Sequence, residues 1–178
     1  MIKTLFVLLL CSAALSMYGQ SADSLSVNNI DGSSVSLLSY QGKKILFLIA
    51  PARISDSSKL DELAAFNSRY GDTVKLVGIM SKEDGFVDSN KAKIKTMYQN
   101  KGINILLTEG MFTKKTAGAN QGSLMQWLTK LSMNKRFEEN AKGVGQKFFA
   151  DENGKLFSVL IPETSLFSSA VERNIYKK

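Results

Sequence analysis

The chain has 178 residues, with 23 Lys and Arg against 16 Asp and Glu, no histidine, and a single cysteine, Cys11. With no histidine and the one thiol confined to the first dozen residues, the rest of the chain is excluded from thiol chemistry and from metal sites built on His or Cys. The net charge of +7 describes a lysine-rich surface; its cations are not interleaved with aromatics, so no nucleic-acid partner is expected.

Residues 1–20 read as a cleaved secretory signal. Lys3 supplies the charged start and LFVLLL the apolar stretch, which Ser12 and Ser16 break before it is long enough to span a bilayer. Removal is expected near Gln20, with a point after Ser16 as the alternative. Cys11 leaves with this segment; anchoring as a lipoprotein through Cys11 is not expected, because leucine stands before it where a small residue is required. What remains, residues 21–178, is long enough for one domain with a single core. That domain is expected in the periplasm or outside the cell, without a transmembrane segment and without a disulfide to support it.

Along the mature chain, residues 24–35 alternate apolar and polar side chains around Asp31-Gly32, the pattern of a β-hairpin. KILFLIA at 44–50 is a continuous apolar run, as in a central strand buried on both faces. Residues 55–70 change to helical spacing, with Leu60, Leu63, Ala64 and Phe66 on one side and Asp56 or Ser57 available to cap the start. TVKLVGIM at 73–80 is a second buried strand, so the three elements form a right-handed crossover unit. The pattern continues with a helix over 89–99, a strand over 103–107, and a helix over 123–137 whose apolar stripe is Leu124, Leu128 and Leu131. Strands at 147–151 and 155–162 flank Asn153-Gly154, a strong hairpin signal, and a helix over 165–176 closes the chain. Crossover units followed by an antiparallel hairpin and a terminal helix give an α/β fold, a mixed sheet with helices on both faces and an N-terminal β-hairpin.

Four stretches in this order, VNNIDGSSVSLLSYQGKKILFLIA, KLDELAAFNSRYGDTVKLVGIM, GANQGSLMQWL and QKFFADENGKLFSVLIPET, resemble the glutathione peroxidase family, a branch of the thioredoxin-like fold. The resemblance runs from Ser24 to Ile175. Other branches of that fold, peroxiredoxins and exported reductases of the two-cysteine type, remain open. The family implies a thiolate or selenolate at a helix start, where unpaired N–H groups and the helix dipole stabilise the anion. It also implies Gln, Asn and Trp donors for the peroxide oxygens.

By that resemblance the nucleophile position falls on Ile54, the neighbouring glycine on Ser55 and a threonine on Ser57. The glutamine falls near Glu83, and the tryptophan and asparagine on Gly143 and Val144. A branched alkyl group is no nucleophile, and a carboxylate at 83 would repel a forming thiolate. The resemblance therefore implies a catalytically degenerate member, an exported protein that is not an enzyme, needs no cofactor and binds a protein or small ligand. The alternatives are an enzyme of another class on the same scaffold, using Asp56 with Glu83 or a Ser/Lys pair, and a peroxidase in family likeness only. Trp127 has a packing reading on its helix and a sharper one, an exposed aromatic beside Lys130, Lys135 and Arg136 that forms a partner surface.

Overall fold

The computed structural model describes residues 20–177, apart from the side chain of Ser58. Cys11 and all of the expected signal segment except Gln20 lie outside them. Among the described residues no helix is long and apolar enough to cross a membrane.

Strands β1 (Ser26–Asn28) and β2 (Ser34–Ser36) pair antiparallel as the expected hairpin. The connection is longer than a two-residue turn because Ile30 leaves the ribbon to be buried in the core, its N–H bonded to Leu107 O at 2.8 Å. Asn29 organises that loop, its Oδ1 accepting from the N–H groups of Asp31 and Ser33.

KILFLIA forms β3 (Lys44–Ala50), buried at every residue. A 3-10 turn over Ile54–Lys59 leads into α1 (Leu60–Tyr70), and β4 (Val74–Ser81) returns parallel to β3. Next come α2 (Lys91–Asn100) and β5 (Leu106–Met111), which pairs parallel with β4. After α3 (Ser123–Thr129) and α4 (Leu131–Asn134), β6 (Lys147–Ala150) runs antiparallel to β3 and pairs with β7 (Leu156–Leu160); α5 (Ser169–Tyr176) ends the fold. The main sheet has five strands in the order β5-β4-β3-β6-β7.

Strand alternation assigns the two cores. Leu46, Leu48, Leu76, Met80 and Phe149 pack with α1, α2 and α5 on one face. Ile45, Phe47, Val77, Ile79 and Phe148 pack with α3 and the N-terminal ribbon on the other.

Two expectations are corrected. The third parallel strand lies at Leu106–Met111, not 103–107, because Ile103 N–H closes the end of α2 on Tyr98 O at 3.0 Å. The helix expected over 123–137 breaks at Lys130, whose φ and ψ of −105° and 119° are extended. Asn134 holds the break: its Nδ2 donates to Trp127 O and Phe137 O, and its Oδ1 accepts from Arg136 and Phe137 N–H. Leu131 is consequently exposed instead of lying on the apolar stripe.

Candidate functional site

The carboxyl ends of β3 and β4 carry the residues of interest, the place where open α/β sheets form crevices. Ile54 opens the 3-10 turn after β3 and is 49% exposed. It lines an open groove against α2, with Ala92, Thr96 and Met97 as neighbours. In the same turn Asp56 and Lys59 form an i,i+3 ion pair at 3.1 Å.

Glu83 follows β4 and turns toward β5. Its carboxylate accepts from Thr113 N–H at 2.9 Å and Lys114 N–H at 2.9 Å, and from the hydroxyls of Thr113 and Ser81 at 3.2 and 3.3 Å. Burial pushes the Glu83 carboxyl up, but the N–H donors of Lys114 and Thr113 outweigh it and hold the group below its ordinary value. Thr113 is completely buried, so this carboxylate satisfies a backbone donor that water does not reach. Glu83 thus ties the β4 loop to the end of β5, while Asp56 is committed to Lys59. The two carboxylates serve different elements.

The loop after β4 does meet the position expected for the family tryptophan. A Cβ added at Gly143 would lie 3.1 Å from Asp84 Oδ1, and Gly143 has a φ of 107°, so any side chain here is strained. Asp84 Oδ2 is buried without a hydrogen-bond partner. Arg53 crosses the same loop, its Nε filling the place that a Cβ on Gly85 would take.

Val144, the next residue, faces elsewhere. It lines a cavity of about 400 Å³ with Leu48, Pro51, Leu63, Leu166 and the side chain of Lys147. Of the four positions taken from the resemblance, Glu83 and Gly143 therefore sit on neighbouring segments, Ile54 borders the α2 groove, and Val144 borders this separate cavity.

Lys147 is the residue that sequence reasoning passed over. It begins β6 opposite Leu48, and alternation with Phe149 puts it on the α1 and α5 face. It is only 2% exposed, with its Nζ donating to Gly145 O at 2.5 Å and Pro162 O at 3.3 Å. Burial pushes its amine below the usual lysine value, against the upward pull of Glu62 and Glu163. The available signal was the period of two in KFFA, which sets Lys147 in register with a core phenylalanine.

The proposed partner surface loses its aromatic. Trp127 is fully buried, edge-on to Phe47 with ring centroids 6.0 Å apart, and its Nε1 donates to Gln20 O at 2.6 Å. Packing is its role. Lys135 and Arg136 are exposed and Lys130 is half-buried, but the indole offers them nothing at the surface. Among the described residues no group of three or more His, Cys, Asp and Glu is placed to hold a metal ion.

No protein-family model matches the chain, and no curated protein matches it. Solved structures do resemble it. Trgpx in apo form is 16% identical with a TM-score of 0.60, over 89% of this chain and 97% of that one. T. cruzi GPX1 is 13% identical with a TM-score of 0.58, over 88% and 97%. A thiol:disulfide interchange protein of the thioredoxin family from Chlorobium tepidum TLS is 17% identical with a TM-score of 0.58, over 88% and 97%. These identities bear on the fold alone, and the fold is common to both kinds of neighbour: the chain has the thioredoxin-like fold.

Proposed function

We propose that this chain is an exported, non-catalytic relative of glutathione peroxidases, a binding module that uses the crevice at the carboxyl end of β3. The observation that carries this reading is the β3-to-α1 turn. A thiolate of this fold needs a helix start, and a Cys-x-x-Cys pair would place its sulfurs at i and i+3. Here Ile54 points to α2, Ser57 stands three residues on, and the turn is held by the Asp56–Lys59 ion pair. The cavity beside that turn stays open, and a fold that lacks redox groups still offers its crevice to a ligand.

The neighbourhood is reshaped as well as emptied. A side chain at position 143 would meet Asp84 at its first carbon and would sit on a left-handed backbone. Glu83 is engaged by four donors, which argues against its acting as a general acid or base. The test is turnover: residues 21–178 are incubated with hydrogen peroxide and either glutathione or a thioredoxin system. The reading expects reductant loss no faster than in buffer, and sustained consumption above that rate would end it.

A further inference from the structure

The cavity at the start of β6 contains a buried cation with no carboxylate in contact with it. Lys147 is 2% exposed, and its Nζ touches only the carbonyl oxygens of Gly145 and Pro162. Among the described residues no carboxylate lies within 4.0 Å of it. An ammonium has three donors, so one remains beyond the two carbonyls. A buried charge without an opposite partner is costly, and an anion beside it recovers part of that cost.

The charged groups around it limit which anion. Lys59, from the turn before α1, lines the cavity but is already paired with Asp56. Glu62, from α1, also lines it, with Oε1 held by Ser165 Oγ at 2.5 Å and Leu166 N–H at 2.7 Å. Glu163, after β7, acts on Lys147 from farther away. A dianion such as phosphate would meet two carboxylates with one free cation to offset them. A monoanion meets the same two carboxylates with half the repulsion, while still satisfying the third ammonium donor. Leu48, Leu63 and Leu166 form the apolar wall, and about 400 Å³ is a volume typical of small-ligand sites.

We propose that this cavity binds a small monocarboxylate with an apolar tail, its head group on Lys147 and its tail along Leu48, Leu63 and Leu166. The inference rests on the binding-module reading above and names its ligand class. An anion beside the amine favours the ammonium, so binding carries proton uptake at alkaline pH, and affinity falls as pH rises through the depressed Lys147 value.

The experiment is calorimetric titration of the mature domain with sodium octanoate and, separately, with inorganic phosphate near neutral pH. Octanoate is expected to bind at one site, at least tenfold more weakly to Lys147→Met, and phosphate is expected to give no saturable heat. Val144→Phe, which fills the cavity and leaves every charge in place, should also abolish octanoate binding, with circular dichroism confirming that each variant is folded. Equal octanoate affinity in folded Lys147→Met, binding of phosphate in place of octanoate, or no octanoate binding at millimolar concentration overturns the proposal. The last result, without peroxide turnover, leaves the binding-module reading standing; peroxide turnover removes that reading and the premise of this one.

Discussion

Lys44 and Lys147 stand at opposite ends of the β3/β6 pair, both buried and both donating to two backbone carbonyls, yet they are solved differently. Lys44, 6% exposed, donates to Ile175 O at 2.8 Å and to Lys177 O, so its charge meets the carboxyl end of α5, where a helix dipole favours a cation. Glu152 adds a carboxylate at 3.6 Å. Lys147 has no helix end, its carboxylates Glu62 and Glu163 act on it without contact, and it opens onto a cavity. The same residue type in the same sheet is a fastening at one end and an incomplete ion pair at the other. Glu83 is the acidic counterpart of Lys44: a carboxylate whose donors are all supplied by the fold.

If that contrast is right, substitutions at these positions should separate in size and sign. Glu83→Ala has the largest effect, because it strands the buried Thr113 N–H together with Lys114 N–H; denaturant unfolding should show a loss of about 3 kcal/mol. Lys44→Met follows, with a loss of about 2 kcal/mol from uncapping α5, also read by denaturant unfolding. Lys147→Met should stay within about 1 kcal/mol of the parent, since an apolar side chain relieves the buried charge while giving up two hydrogen bonds. A loss from Lys147→Met as large as that from Lys44→Met would erase the distinction. Glu152→Gln is the smallest, below about 0.5 kcal/mol, because that carboxylate is half exposed and screened.

The pH dependence sharpens the comparison further. Glu83 is held below its ordinary value, so the folded state binds fewer protons than the unfolded state as pH falls. Its stabilisation is present above the ordinary glutamate range and is lost as pH drops through the depressed folded value. Lys147 is also depressed, so between its folded value and the ordinary lysine value the unfolded state again binds more protons, and stability rises with pH. Thermal melts of Lys147→Met should lack that alkaline rise and keep the acid loss; melts of Glu83→Ala should lack the acid step.

Much of the architecture was legible because it rests on local signals. KILFLIA can only be a central strand, and the Asn153-Gly154 turn fixes the β6–β7 hairpin, with Asp151 Oδ1 accepting from Asn153 and Lys155 N–H. β5 was misplaced because its last residues, Thr108 to Met111, are not an apolar run. Thr108 is nonetheless buried and takes the Met80 N–H at the β4 irregularity. Position 147 was harder still. A lysine at a strand start ordinarily marks a solvated boundary, and only the return of the chain through Pro162 and Leu166 covers it. The period of two in KFFA gives the face on which Lys147 lies, but long-range closure of this kind leaves no local sign that the face is covered at that end. The reach of Asn134 to Trp127 and Phe137, which breaks the expected long helix, is similarly a matter of side-chain geometry beneath a sound helical spacing.

The charge state of Lys147 tests the account most directly. In protein carrying 13C at the lysine ε positions, its resonance is identified by its absence from Lys147→Met and followed through an alkaline titration. The account predicts that it titrates below the main group of lysines and returns toward them when octanoate is added. A Lys147 that titrates with the others, unmoved by octanoate, would contradict both the buried charge without a contacting carboxylate and the site built on it.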